Sequence, residues 1–211
     1  MKAVVAAILG CVLALSLTAC FLGSTVMTDS YANAEAYHAG DFEYRAEDVK
    51  KLEVNWYCGG VILKRTEGDM LRVTESGTGL KTEQAVHWLL TDGVLRVEFC
   101  ASGYAGRFSG QDKKLTVEIP AGLDIEVTTT SAGIAAELGK QKNVFLQTTS
   151  GTIEVSGETE AEALCLGTTS GAIGVEHLTA ESLSADTTSG SVRVLDVSVI
   201  DSIRLGRTSG G

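Results

Sequence analysis

Serine is the residue whose repetition first suggests chemistry in this chain. Five serines stand 19, 20, 19 and 20 residues apart, the first in Thr-Ser-Ala and the others in Thr-Ser-Gly; they are Ser131, Ser150, Ser170, Ser189 and Ser209. A serine nucleophile needs a base beside it and is often found in Gly-x-Ser-x-Gly. That motif is absent, and no histidine recurs with the serines. A repeating fold needs a turn in each of its repeats, whereas an enzyme needs its active site only once. We therefore interpret these serines as structural turns.

Carboxylates are the next candidates, because calcium sites and glycan-cleaving sites both need several of them on one face. An acidic run contains Glu154, Glu158, Glu160 and Glu162. However, no solvent-facing position of the 19- or 20-residue repeat is acidic in one repeat after another. The last three acids lie between two predicted strands, where we expect a solvated loop. We therefore predict no catalytic residue, no metal and no cofactor.

Three cysteines remain after the N-terminal segment. Cys58 and Cys100 precede similar turns, Cys-Gly-Gly and Cys-Ala-Ser-Gly, and an exported compartment permits a disulfide between them. Two buried thiols are the alternative. The chain has no Cys-x-x-Cys and its three histidines are scattered, so a structural zinc site is not expected.

Aromatic side chains provide the stacking surfaces that sugars use. The candidates for a glycan contact are Trp56, Tyr57, Trp88 and Tyr104, all in the N-terminal part. Packing in the core and cap of a small β-domain is the alternative role for all four.

The first residues indicate export. Residues 1–19 place one lysine before a long apolar run, which is typical of a signal peptide or a membrane helix. Leu17-Thr18-Ala19-Cys20 resembles a bacterial lipobox, in which Cys20 is acylated and becomes the new N terminus. The alternative is a signal-anchor helix over residues 3–22. Both place the body of the protein outside the cytoplasmic membrane, and we predict that residues 20–40 form a lipid-anchored tether.

Charge limits the partners. The formal net charge is −10, which argues against nucleic acid, since phosphate binding needs a basic patch. The partners that remain are the membrane, reached through the lipid or the anchor helix, and an envelope protein or wall polymer.

The elements that carry these residues follow from the apolar pattern. Ile153 and Val155 follow Ser150 by three and five residues, and Leu164 and Leu166 precede the next serine by six and four. A period of two indicates strands, and coils of about 20 residues that cannot bury their apolar side alone must stack. We predict an all-β chain with a β-solenoid at 129–211, in which Thr-Ser pairs form hydrogen-bonded ladders.

The preceding region, 41–128, is irregular but rich in strands, and we read it as degenerate coils or a small β-sandwich that caps the solenoid. The predicted strands include Leu52–Val54, Val61–Leu63, Leu71–Val73, Val94–Val97, Leu115–Ile119 and Asp124–Val127. The last residues begin another Thr-Ser-Gly coil. Either the repeat is truncated there, or a partner or capping loop covers that end.

Three features together resemble a known family. Asp92-Gly93-x-Leu95-x-Val97, then Leu115-Thr116-Val117-Glu118-Ile119-Pro120, then Thr-Ser-Gly coils are similar to the bacterial candidate-adhesin family of β-strand-repeat proteins of unknown function, over about residues 40–211. The resemblance implies a right-handed β-helix on an exported or membrane-attached protein, and it supplies no catalytic residue. The leading hypothesis is a non-enzymatic, envelope-anchored adhesin-like binding module or scaffold. The alternatives are a carbohydrate-active β-helix enzyme and an envelope-stress sensor lipoprotein.

Overall fold

The computed structural model of the 211-residue chain describes residues 26–27, 30–106 and 113–208. The predicted signal peptide, Cys20 and Ser209 lie outside these residues. Three single 3-10 turns occur at Ala34–Ala36, Ala46–Asp48 and Thr82–Gln84. The strands are β1 (Val26–Met27), β2 (His38–Ala39), β3 (Phe42–Arg45), β4 (Lys51–Trp56), β5 (Gly60–Arg65), β6 (Met70–Ser76), β7 (His87–Thr91), β8 (Val94–Glu98), β9 (Ala105–Gly106), β10 (Lys114–Ile119), β11 (Asp124–Thr129), β12 (Gly133–Glu137), β13 (Gly139–Lys140), β14 (Asn143–Thr148), β15 (Ile153–Val155), β16 (Thr159–Thr168), β17 (Ile173–Thr187) and β18 (Val192–Arg207).

Sixteen of the described strands form one mixed, open sheet that folds back on itself. Its order is β2-β7-β8-β4-β11-β14-β16-β17-β15-β12-β5-β10-β6-β3, while β13 joins β16 and β18 joins β17. The long strand β17 pairs with both β16 and β15, so it joins the half of the sheet from β2 to β16 to the half from β15 to β3. Alternate residues of both halves contribute to one hydrophobic core, as expected for strands with one buried face.

The repeats stack in register. Val144 pairs with Leu164, Leu164 with Leu183, and Leu183 with Ile203, all in parallel. The first three of these side chains are at most 2% exposed. The strands predicted from the sequence lie inside strands of the structure, so the all-β fold and the solenoid-like stacking are confirmed.

One local prediction is wrong. The acidic segment after Val155 is not simply a loop, because β16 already begins at Thr159, and both Thr159 and Ala161 are buried. The extra residue of a 20-residue coil is accommodated in two ways. In one coil it lies in the turn before Thr159. In β18 it forms a bulge between Val199 and Ser202, which pair with Ala180 and Ser182.

The Thr-Ser pairs hydrogen-bond from coil to coil through their backbones, as from the N–H of Ser189 to the carbonyl oxygen of Thr169 (2.9 Å). The side-chain ladder is formed by the threonine that precedes each pair. Thr168 Oγ1 donates to the carbonyl oxygen of Gly151 in the preceding coil (3.2 Å) and accepts from the N–H of Gly171 (3.0 Å). Thr148 and Thr187 make the same two kinds of bond, with an alanine carbonyl as the acceptor for Thr148. These threonines are buried, whereas the serines Ser131, Ser150, Ser170 and Ser189 are exposed at bends.

Glycine is required beside this ladder for steric reasons. A Cβ on Gly171 would lie 1.7 Å from the carbonyl oxygen of Gly151, and a Cβ on Gly190 would lie 1.6 Å from that of Gly171. No side chain fits such a close backbone approach. The glycine therefore recurs because the coils touch there.

The N-terminal end of the stack is closed by antiparallel strands and aromatic rings. The ring of Phe42 stacks on Trp88 at 4.3 Å between centroids, and Tyr44 meets Trp88 edge-on at 5.5 Å. All three pack against the core. Residues 30–40, assigned above to the tether, pack on this body as well: Trp88 Nε1 donates to the carbonyl oxygen of Gly40 (3.1 Å).

We predict that Thr168→Val lowers the free energy of unfolding by about 1–3 kcal/mol, because it keeps the shape of threonine but leaves a buried carbonyl and N–H unpaired. Urea unfolding followed by circular dichroism measures this loss. Thr168→Ser should recover most of the stability, since it restores the hydroxyl. Thr188→Val, at an exposed position of the next coil, serves as the control. Equal losses in the two valine variants would contradict the ladder.

Candidate functional site

The exterior of β8, β4 and β11 holds a connected set of charged side chains. Because strand residues alternate, Leu52 and Val54 point into the core while their neighbours point outward. Glu53 accepts from Arg96 Nε (3.1 Å) and from Lys51 Nζ (2.8 Å), and Lys51 also contacts Glu126 Oε2 (2.6 Å). We call Arg96, Glu53, Lys51 and Glu126 the charged row; it crosses three adjacent parallel strands.

The lysine of the charged row is held as a cation. Burial lowers the pKa of Lys51, but its hydrogen bonds to Glu126 and Glu53 outweigh burial and raise that pKa above its usual value. The positive and negative charges of the row therefore have fixed positions, which can select a ligand by charge complementarity.

Glu98 lies at one end of the charged row. Asn55 Nδ2 donates to Glu98 Oε1 (2.9 Å), and burial raises the pKa of Glu98 to about 7, even though Asn55 and Arg96 oppose the shift. A carboxyl group that titrates near neutral pH can exchange protons under ordinary conditions.

Two tyrosines from residues 30–37 lie near this carboxyl group. The rings of Tyr31 and Tyr37 lie 4.4 Å apart, and burial, followed by the nearby Glu98, raises the pKa of both. Tyr31 is held in place by hydrogen bonds from its N–H to Ser102 Oγ (3.0 Å) and from its hydroxyl to the carbonyl oxygen of Cys100 (3.1 Å). Two aromatic side chains thus lie at the Glu98 end of the charged row.

A buried ammonium group lies on the other side of the same strands. The side chain of Lys113 is 2% exposed, forms an ion pair with Glu75 Oε1 at 2.8 Å and donates to the carbonyl oxygens of Gln84 and Phe99. Its Nζ is 4.1 Å from the ring centroid of Phe99. Burial lowers the pKa of Lys113, while the carboxylate stabilises its charge. We interpret the Lys113–Glu75 ion pair as a structural interaction that holds two segments together in the core.

The four predicted aromatic contacts are divided between core and cap. Trp56 is 2% exposed and packs edge-on against Phe99 at 4.8 Å, while Tyr57, Trp88 and Tyr104 are half-buried against the core. These positions agree with the alternative packing role. A ligand contact by any of the four stays a prediction.

The predicted disulfide bridge between Cys58 and Cys100 is not formed in the structure. Cys100 is buried and Cys58 is half-buried, and burial raises the pKa of the Cys58 thiol. A raised thiol pKa reduces the thiolate that disulfide exchange requires.

Sequence reasoning missed the charged row, Glu98 and the two tyrosines. Alternation marks Lys51 and Glu53 as outward residues of one strand, but their contacts with Arg96 and Glu126 depend on which strands become neighbours. No sequence pattern predicts where Tyr31 packs, because its segment lacks any periodic arrangement of apolar residues.

These features define a class: an all-β protein of stacked parallel coils, closed at one end and charged along its exterior. Residues 49–210 match the family described as Toastrack DUF4097, and the chain belongs to that family. No curated protein matches the chain. Among the described residues, no helix has the length and apolar character needed to span a membrane.

Three solved structures show a distant likeness. A candidate cell adhesion protein from Clostridium sporogenes has 11% identity and a TM-score of 0.42, over 81% of this chain and 100% of that chain. A candidate adhesin from Bacteroides fragilis has 11% identity and a TM-score of 0.35, over 79% and 95%. A candidate lipid-binding protein from Parabacteroides distasonis has 12% identity and a TM-score of 0.37, over 87% and 97%. These scores are too low to support an argument about this chain.

We predict that Glu98→Gln stabilises the protein at neutral and higher pH and changes little in acid. The raised pKa means that the folded state holds the proton up to about pH 7, whereas the unfolded chain releases it near pH 4.5. The wild type therefore loses stability as the pH rises between these values, whereas the Glu98→Gln variant does not. Above pH 7 the free energy of unfolding of the variant should exceed that of the wild type by on the order of 1 kcal/mol.

Urea unfolding at about pH 5 and pH 8 tests this dependence. Glutamine keeps an oxygen that can accept from Asn55, so the hydrogen bond is preserved. Glu154→Gln, at an exposed position of β15, is the control. An equal change at both pH values for Glu98→Gln would show that Glu98 does not titrate as described.

Proposed function

We propose that this protein is a non-enzymatic binding module or scaffold of the cell envelope, anchored on the extracytoplasmic side of the membrane through a lipid on Cys20. The proposal rests on the charged row, whose charges are held at contact distances of 2.6–3.1 Å on three adjacent strands. Side chains that are already ordered lose little entropy when a partner binds.

The stack supports this role mechanically. Strands that pair along their length form a stiff, extended surface, and such surfaces suit contact at several points with a protein or a polymer. The net charge of −10 favours a neutral or basic partner, such as an envelope protein or a wall polymer that carries amino groups.

We further propose that the coils turn in the right-handed sense with about 20 residues each. Parallel strands of one sheet are joined by right-handed connections in nearly all proteins, and the Thr-Ser-Gly spacing supports the coil length.

Photo-cross-linking on intact cells tests the binding role. A photoreactive amino acid at Thr128, which is exposed beside the charged row, should yield a discrete envelope partner that mass spectrometry identifies. The same amino acid at Ala135, exposed on β12 in the other half of the sheet, is the control. The product should decrease about tenfold in Glu126→Lys, which replaces an acidic charge of the row with one that repels a basic partner. If Thr128 yields no more product than Ala135, the binding role is wrong.

Cys20→Ala tests the anchor separately. Without the thiol no lipid can be attached, so we expect the protein to leave the membrane fraction. Unchanged membrane attachment would favour a signal-anchor helix over residues 3–22.

One observation favours a second candidate, a carbohydrate-active enzyme. Glu98 has a pKa of about 7, which suits a general acid, and the carboxylate of Glu53 lies in the same row. Release of new sugar ends from wall glycans by the wild type, abolished in Glu98→Gln, would support this candidate. Binding without release would support the first.

A further inference from the structure

Among the described residues, β18 is the last strand of the stack, and its outer edge is open. β18 pairs with β17 along its length, and within the described residues no other strand pairs with it. An unpaired strand edge presents backbone N–H and C=O groups that can accept another strand.

The core extends to this edge without a cover. Ile203 stands in register with Leu183, yet it is 53% exposed where Leu183 is 2% exposed. All the large hydrophobic side chains that are exposed among the described residues lie on β18: Leu195, Ile200, Ile203 and Leu205. Exposed apolar side chains concentrated on one edge indicate an interaction site.

The charge pattern also changes at this edge. β17 carries Glu176, Glu181 and Asp186, whereas β18 carries Arg193, Arg204 and Arg207 with Asp196 and Asp201. Oppositely charged groups meet between the two strands: Arg193 with Glu176 at 3.8 Å, and Arg204 with Asp186 at 3.6 Å. By the same rule, acidic side chains fit the free side of the arginines.

The buried threonine ladder stops at this coil. Arg207 pairs with Thr187 at the position where the earlier coils have threonine. Arg207 has no hydroxyl group, so the side-chain bond that Thr168 and Thr187 make to the preceding coil is not repeated at this corner.

We propose that the free edge of β18 binds one extended strand of a partner polypeptide that carries aliphatic residues on one face and acidic residues on the other. Backbone hydrogen bonds would provide affinity, and the arginines and the exposed aliphatic side chains would select the sequence. A second copy of this chain would bring the same arginines to the edge, where like charges repel. The proposal deepens the binding role above but has its own site.

The probe is a fluorescein-labelled peptide with the sequence of β17, residues 173–187, which has the required acids and aliphatic residues. We expect saturable binding to the 211-residue chain by fluorescence anisotropy. Arg193→Glu with Arg204→Glu should weaken it about tenfold, and a peptide with lysine at its acidic positions should bind that double variant better than the wild type. Arg65→Glu, an exposed change on β5, should leave binding unchanged.

Ile200→Glu gives a second, charge-independent test. Its side chain is 80% exposed at the bulge, so the fold should survive, and circular dichroism checks that it does. Loss of peptide binding in this variant supports the apolar contact. Unchanged binding overturns it.

Three results would overturn the proposal as a whole. One is no saturable binding of the peptide, and another is equal binding of the acidic and lysine peptides. The third is a doubled mass of the chain in light scattering that Ile200→Glu returns to the monomer value, which would make a second copy the occupant. If cross-links from Thr128 persist in these cases, the edge proposal fails and the binding role stands.

Discussion

The hydrogen bond from a buried threonine to the glycine carbonyl of the preceding coil is the constraint on which the stack depends. At each corner the chain must bring polar backbone atoms into an apolar interior, where an unpaired donor or acceptor is costly. Thr148, Thr168 and Thr187 accept from the N–H of their own coil and donate to the coil before. The adjoining glycines allow the backbones to approach closely enough for these bonds.

The exterior follows from this arrangement. Once the coils are held at the spacing of paired strands, about 4.8 Å, side chains at equivalent positions lie within reach of one another. Arg96, Glu53, Lys51 and Glu126 form their contacts for this reason. The core and ladder thus make the surface rigid without using its residues, so exterior positions are free to serve recognition.

The two ends of the ladder are chemically different. Its column begins with Trp56, which pairs with Thr129, and ends with Arg207, which pairs with Thr187. The tryptophan lies beneath the closed N-terminal cap, where it is buried with Phe99. The arginine lies on the open edge beside exposed aliphatic side chains. The stack therefore has one end that is covered by its own strands and, among the described residues, one end whose last strand has an unpaired edge.

The sequence by itself determined the repeat, the strand type and the inward residues, because a period of two and a spacing of 19 or 20 residues are local properties that can be read directly. It also indicated that the repeated serines are turns. It placed hydrogen-bonded ladders at the Thr-Ser pairs, where backbone bonds between coils are found. It did not identify the side-chain ladder, since Thr168 and Thr169 are both threonine and only the bend of the corner decides which one faces the interior. The charged row, the burial of Lys113 against Glu75 and the fold-back of Tyr31 were decided by tertiary structure alone. Each joins residues from distant segments, and such contacts depend on strand order, which no local pattern encodes.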